Sequence, residues 1–534
     1  MNESAVYPAL NKAWKNTTRI LFGEELGELR NYKDWLGEYL PVRGKRNSHI
    51  SGKEVILAVD HYSPNARFIS ADEVTEKTVE PLTINEVKDI DSIAEALRDK
   101  WEYTGNKVLG NSKHIESSDA VMDSQYVLDS TDIQQSTYIS DSFMTRTNMK
   151  YAFGSGWGGT GEFIVRGIGI SDVSRILDSM LIGNSSDVYF SFYCMQCNDV
   201  LFSFFQRNKR NCIGNLELPR DRYVQLKKKI LGEIAEELKR SKRFPSLFEL
   251  VSDKKPAGTL KISSKKENTN MAAIEKAFSS TFKVIFRKKA ENIDQYENWL
   301  SKYNIRMETI KTPFGHETYL PEGKIMRHYA KAPRNRIVTL DEGMELGKRH
   351  LDENALTSLE KICDNLHEIG YFTTEIVEGN ATNNIIAPLA YFASNNYKTY
   401  DVSFGEYAAM DSIAVMSKYT FGCYRIVGSQ FCINCHNSFN LSRCFEMDTS
   451  TKCSDSMFCH NSEGLSDCMF CFNTKGKRNA IGNTQLAPDK YRAIKDSVIE
   501  QLANELETKK DLRWDIYNLI EKRGKKLWHN RLTE

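Results

Sequence analysis

The stretch that decides the fold is Lys209-Arg210-Asn211-Cys212-Ile213-Gly214-Asn215, because it returns as Lys477-Arg478-Asn479-Ala480-Ile481-Gly482-Asn483. The spacing is 268 positions (477 − 209), and it holds without a gap over a long run. Lys150-Tyr151-Ala152-Phe153-Gly154 matches Lys418-Tyr419-Thr420-Phe421-Gly422, and Tyr223 matches Tyr491. Nearer the N-terminus Lys12, Ala13, Trp14, Phe22, Tyr32, Trp35 and Leu36 pair with Lys276, Ala277, Phe278, Phe286, Tyr296, Trp299 and Leu300, at a spacing of 264 (276 − 12). His61-Tyr62 pairs with His328-Tyr329. Self-similarity at a fixed spacing is the signature of an internal repeat. The expectation is a tandem duplication, with residues 252–270, rich in Lys, Ser and Asn, as the linker.

Around the matched stretch the chain is broken into short runs: Ser186-Asp187-Val188-Tyr189-Phe190, Asn198-Asp199-Val200-Leu201-Phe202, Ser454-Asp455-Ser456-Met457-Phe458 and Ser466-Asp467-Cys468-Met469-Phe470. Each reads as a turn feeding a strand, because Asp and Asn side chains bond their own turn. Asp187 and Asp199 lie twelve apart (199 − 187), as do Asp455 and Asp467 (467 − 455). Regular short strands predict a β-solenoid, with a sandwich as the competing architecture. Tyr223, Leu226, Ile230, Ile234 and Leu238, and likewise Tyr491, Ile494, Val498, Leu502 and Leu506, form a helical stripe after each such region. Such a helix would cover the open strand edges.

Ahead of each region, residues 9–40 and 274–303 read as amphipathic helices. A β-hairpin over Glu54 to Val59 and Arg67 to Ser70 is expected, with Ser63-Pro64-Asn65 as the turn, then a helix near Ile84 to Trp101, paired with Leu356 to Ile369. The predicted class is therefore α+β. Heads span 1–136 and 271–398; β-solenoids with clamping helices span 137–251 and 399–534.

Several function classes recede on composition. Lys and Arg number 72 against 71 Asp and Glu, so no global field draws nucleic acid or an anionic membrane. No window has the apolar length of a membrane span, and Met1 to Leu10 lacks the features of a signal peptide. A cytoplasmic chain is the expectation, and its 12 cysteines then read as thiols or metal ligands. Cys432, Cys435, Cys468 and Cys471 form two C-x-x-C pairs, with His436 and His460 nearby, as zinc ligands are spaced. The aligned residues in the first half are Ile164, Gly167, Val200 and Ser203. Intervals along the cysteine series are multiples of three. The expectation is buried thiols and no cofactor; a metal site private to the second half would use those four cysteines.

Asp187, Asp199, Asp455 and Asp467 could do glycoside chemistry, but turn capping accounts for them. His61 and His328 could be general bases, yet no nucleophile recurs beside both. The glycine-dense stretch 154–169 lacks a phosphate-loop ending. The basic stretch 207–243 reads as a solvated face, with an anionic partner as its alternative.

The Asn- and Asp-punctuated strands, the element Arg210-Asn211-Cys212-Ile213-Gly214-Asn215 and the Tyr223-bearing helix resemble an uncharacterised group of Cys- and Asn-rich β-solenoid proteins of tailed-phage and related bacterial genomes. Arg478-Asn479-Ala480-Ile481-Gly482-Asn483 and Tyr491 match again. The resemblance covers about a third of each half and carries no catalytic residues. It implies a phage virion or virion-assembly protein. The expectation is a non-enzymatic structural protein with protein partners in a symmetric assembly, as a homo-oligomer or bound to a lattice. Nucleic-acid and membrane partners are not expected. The alternatives are a carbohydrate-binding or carbohydrate-cleaving solenoid and a zinc-containing nucleic-acid binder.

Overall fold

The computed structural model describes residues 6–75, 82, 89–252, 260 and 269–520. It is a mixed α and β protein whose strands form near-closed parallel ladders. The linker expected over 252–270 lies almost wholly outside the described residues, as does the start of the helix expected near Ile84.

Both ladders obey one rule. From Val108 to Glu217, and from Ile376 to Gln485, nearly every third residue has a positive φ. The residue after each such corner points inward. In the second ladder the core is Ala390, Val402, Ala414, Cys423, Cys432, Cys435, Cys444, Cys453, Cys459, Cys468, Cys471 and others, all separated by multiples of three. In the first it is Val121, Val127, Ile133, Ile139, Ala152, Ile164, Ile176, Val188, Val200 and Cys212. Strands pair in parallel, Thr137 with Gln125 and Val188 with Val200, so the chain returns to the same place after twelve residues. Asn148 is one extra left-handed residue, and there Thr137 pairs with Lys150 instead.

A side chain at a left-handed corner costs roughly 1 kcal/mol or more unless it is Gly, Asn or Asp. The inward residues beyond each corner offset that cost. The serines between the apolar inward residues form a hydrogen-bonded column. Ser130 Oγ donates to the Leu128 carbonyl (2.7 Å), and the Ser142 N–H donates to Ser130 Oγ (3.0 Å). The same pattern links Ser118 to Ser130 and Ser179 to Ser191 to Ser203. In the second ladder serines do the same, as where the Ser450 N–H donates to Ser438 Oγ (3.1 Å), and cysteines share the role: Cys435 N–H meets Cys423 Sγ at 3.5 Å, and Cys471 N–H meets Cys459 Sγ at 3.4 Å. A buried N–H without a partner costs about 1–3 kcal/mol, so this column is a structural requirement. At the inward Gly167 an added Cβ would lie 2.7 Å from Ile164 Cγ2.

Helices cover the outward faces. Val6–Phe22 and Met271–Phe286 pack on successive strands of the first and second ladders. Arg220–Ser241 and Pro488–Lys509 come after the last strands, and Tyr223, Leu226, Ile230, Ile234 and Leu238 are all buried. Ile494 of the second stripe is half-buried, whereas Tyr491, Val498, Leu502 and Leu506 are fully buried.

Three expectations need correction. The ladders begin at Val108 and Ile376, not at 137 and 399, because inward Ile115, Ser118, Val121 and Ser124 already obey the three-residue rule. Glu54–Leu57 pairs antiparallel with Gly44–Asn47, and Phe68–Ser70 pairs parallel with Tyr103–Gly105, so the hairpin across Ser63-Pro64-Asn65 does not form. The helix at Ile90–Lys100 has its expected second-half counterpart in Leu359–Asn365, extended by the 3-10 turns Glu353–Thr357 and Leu366–Glu368. The heads, expected as 1–136 and 271–398, are not contiguous bodies either. One compact unit comprises Met1–Arg43, Val108–Lys265 and Met307–Glu375; the other comprises Gly44–Lys107, Lys266–Arg306 and Ile376–Glu534. Segment 44–107 thus packs within the unit of the second ladder, where Tyr62 donates to Asp448 (2.8 Å) and the Thr104 N–H donates to His460 Nε2 (2.9 Å). Segment 307–375 packs within the unit of the first, where Phe205 lies under Gly343 and Gly347.

Asp411 stands in the inward hydrogen-bonding column in place of serine. It accepts from Thr420 Oγ1 (2.7 Å) and from the Cys423 N–H (2.6 Å). Burial pushes its carboxyl up to about 7 against those two bonds. A carboxyl raised in the folded state binds more protons there than in the unfolded chain, so stability falls as pH rises. Its contribution is full below the ordinary value of 3.8 and is lost as pH rises through about 7. Denaturant unfolding from pH 4 to 8 is expected to show that decline, and Asp411→Ser to flatten it.

Candidate functional site

The candidate residues fall into a recurring outer column, a sealed polar cluster and two surface cavities. The column runs down the corner positions of each ladder. In the first it is His114, Tyr126, Tyr138, Tyr151, Phe163, Arg175, Asp187, Asp199 and Asn211; in the second the last seven positions are Tyr407, Tyr419, Phe431, Arg443, Asp455, Asp467 and Asn479. The rings stack on one another, at 4.6, 4.9, 5.0 and 5.1 Å between centroids in the first ladder and 4.9 and 4.8 Å in the second. Each stack ends on an arginine. Arg175 grips Asp187 (2.6 Å) and Arg443 grips Asp455 (2.6 Å). The covering helix then adds a lysine: Lys227 reaches Asp199 (2.7 Å) and Asp187 (3.4 Å), and Lys495 reaches Asp467 (3.1 Å).

The four aspartates are therefore brought together with cations as well as sitting at left-handed corners. Burial alone would raise the Asp187 carboxyl; Arg175 and Lys227 overcome it and hold the group below the usual carboxylate range. A carboxylate so paired is a poor general acid. The recurring Arg and Lys stand at the same spacing in the sequence, but they lie twelve to forty positions from their partners, too far for a local pattern to reveal.

The histidines serve elsewhere. His328 is 2% exposed, lies against Trp157 and Tyr329, and burial lowers its pKa to about 3. His61 packs among the rings of Tyr303, Tyr424 and Tyr517. The pairing that sequence reasoning missed is His460 with Asp448. Both are fully buried, Nδ1 lies 2.7 Å from Asp448 Oδ2, and Tyr517 donates to Asp448 Oδ1 at 3.3 Å. Burial would raise the Asp448 carboxyl, but His460 and its other donors hold it well below the usual range. The aligned residues of the first half, Met180 and Phe192, are apolar. In that half the buried charge lies two positions away: Arg166 Nε donates to Asp178 (2.6 Å) and Nη1 reaches Glu38 (3.2 Å), where the second half has Asn434, Glu446 and Lys302.

Two surface cavities accompany these features. One, on the first ladder, is lined by Asn148, Lys150, Glu162, Asp172, Asn184 and Asn198, with no aromatic ring. The other lies at the start of Pro488–Lys509 and is lined by Arg287, Arg478, Arg492, Lys495, Asp467 and Tyr491. The basic stretch 207–243 is partly neutralised: Lys239 pairs with Glu24, Arg240 with Glu237, and Arg243 with Glu38 and Glu249.

Cys432, Cys435, Cys468 and Cys471 all point into the second ladder's core and are fully buried. Cys432 Sγ donates to the Gln430 carbonyl (3.4 Å) and Cys468 Sγ to the Ser466 carbonyl (3.4 Å). Burial raises the Cys471 thiol well above its ordinary value, which disfavours the thiolate that zinc requires. Among the described residues no three His, Cys, Asp or Glu side chains are grouped as metal ligands. Cys468→Val, which installs the first ladder's residue Val200, is expected to change stability by less than ~1.5 kcal/mol. Unfolding with and without a chelator, with elemental analysis, checks this; a zinc stoichiometry near one, lost in the variant, would contradict it.

No family model, curated protein or solved structure matches this chain.

Proposed function

We propose that this chain is a non-enzymatic structural or assembly protein, built as a tandem duplication of a β-solenoid unit, and that it serves in a phage particle or its assembly. The observation that carries the reading is the self-satisfied outer column. The column acids that recur between the halves, Asp187, Asp199, Asp455 and Asp467, are engaged by Arg or Lys, and the recurring rings stack face to face on one another. Sugar recognition by aromatic stacking needs a free ring face, and acid catalysis needs a carboxyl held neutral at a cavity. Among the described residues the carboxyls that burial raises, Asp141, Asp178, Asp411, Glu375 and Glu446, line neither surface cavity.

The duplication reading rests on the constant spacing of 268 positions and on the shared three-residue rule. The solenoid reading rests on the parallel twelve-residue register. A duplicated unit offers two similar surfaces to a symmetric assembly. The second ladder also exposes Phe392, Phe404 and Met416 in one corner column, at 51%, 54% and 49%, whereas the aligned corners of the first are polar. Phe392 stacks on Phe404 (5.5 Å), and the outward half of this apolar column remains open, which suits a contact surface. Among the described residues no helix is long and apolar enough to cross a membrane.

One observation favours a carbohydrate-active reading instead: Glu162 and Asp172 share a cavity. The aligned second-half residues are Gln430 and Asn440, so that pair does not recur. Sedimentation velocity across a concentration series, with mass spectrometry of purified particles, tests the proposal. Reversible association that weakens in Phe404→Gln, or recovery of the chain from particles, is expected. A monomer at every concentration together with Glu162-dependent polysaccharide cleavage would overturn it.

A further inference from the structure

The cavity of about 490 Å³ at the start of Pro488–Lys509 carries four cations and one carboxylate in its lining. Two of the cations are already engaged, Lys495 by Asp467 (3.1 Å) and Arg287 by Asp496 (2.7 Å). Arg478 and Arg492 are exposed and pair with no carboxylate among the described residues. The helix that opens there has no side-chain cap on its first-turn N–H groups, and its positive end is partly offset by Asp489 in that turn. Tyr491 lines the same cavity; it is 3% exposed and its buried hydroxyl has no hydrogen-bond partner. Planar guanidinium groups converging on an open helix start match the tetrahedral oxygens of a phosphoryl group.

We propose that Arg478, Arg492, Lys495 and Arg287 form a binding site for a phosphate dianion, free or carried as a phosphomonoester. The first half shows which residues make the difference. Arg210, Lys227 and Tyr223 keep the cradle, and the Tyr223 hydroxyl is also unpartnered. Val224 and Gly23 stand where the second half has Arg492 and Arg287. The site is therefore assigned to the second half, and substitutions that copy the first half remove it without asking the fold for anything new. Arg287 occupies the left-handed residue that ends its helix (φ 60°), a position where glycine carries no steric cost. This site does not depend on the assembly role.

The test uses the full-length protein and isothermal titration with inorganic phosphate at constant ionic strength, with chloride and sulfate as reference anions. Glucose 6-phosphate is the second arm. Tighter binding of the ester identifies a phosphomonoester as the ligand source, and equal or weaker binding identifies free phosphate. Arg492→Val is expected to weaken phosphate binding at least about tenfold, and Arg287→Gly/Arg492→Val to abolish it, with melting temperatures in chloride unchanged. Higher salt should weaken the wild-type affinity, because exposed charges are screened. The proposal is overturned if phosphate binds no better than chloride, or if the double variant, folded as judged by its melting transition, keeps the wild-type affinity.

Discussion

The structure depends on one contact repeated along two ladders: a backbone N–H donating to a hydroxyl or thiol that sits in the core one coil earlier. A chain that turns at every third residue cannot pair all its amides strand to strand. Those after the corners face the interior, where water cannot reach them. Ser118, Ser130, Ser179 and Ser191 receive them in the first ladder, and Ser429, Ser438 and Ser450 together with Cys423 and Cys459 do so in the second. This contact explains the exchange of serine for cysteine between the halves. Both are small, both donate to the carbonyl two residues earlier and both accept one N–H. Cysteine brings more apolar surface to a core whose other inward residues include many alanines.

That constraint governs where charge can go. The inward positions admit few ionisable groups, and Asp411 is accommodated with its carboxyl raised to about 7. The corner positions face outward and accept long or charged side chains, so the recurring Arg, Asp and Lys bonds tie the covering helices to the strands. The halves differ in their buried charge where other segments cover the ladder. At covered corners the buried pair of Arg166 and Asp178 has Asn434 and Glu446 at the aligned positions, and just before two corners Asp448 with His460 replaces two apolar residues.

Much of this was legible in the sequence, for a physical reason: a period of three leaves its mark on every inward residue. The intervals of the cysteine series and the twelve-residue spacing of Asp187 and Asp199 are that period seen from inside and outside. The stripe beginning at Tyr223 was equally plain, because a helix must bury one face. The start of the ladders was hidden because the extra residue Asn148 breaks the constant spacing between the halves, although Asp123, Asp129 and Asp132 already stand at left-handed corners. The strands near Glu54 and Phe68 were misread because their partners, Gly44–Asn47 and Tyr103–Gly105, lie away from the turn that seemed to join them. The cationic cavity could not be read at all. It needs Arg287 beside Arg478 and Arg492, and nothing local in the sequence links them.

Native-state hydrogen exchange at the inward positions is the most direct test of the account. The Ser142 amide, which donates to Ser130 Oγ at 3.0 Å, is predicted to exchange only on global unfolding of its ladder. In Ser130→Ala that amide should lose protection selectively, with a stability loss of about 1–3 kcal/mol, while the amides of flanking strand pairs keep theirs. Exchange of Ser142 at a loop-like rate in the unmodified protein, or unchanged protection in Ser130→Ala, would contradict the claim that the inward column holds the ladders together.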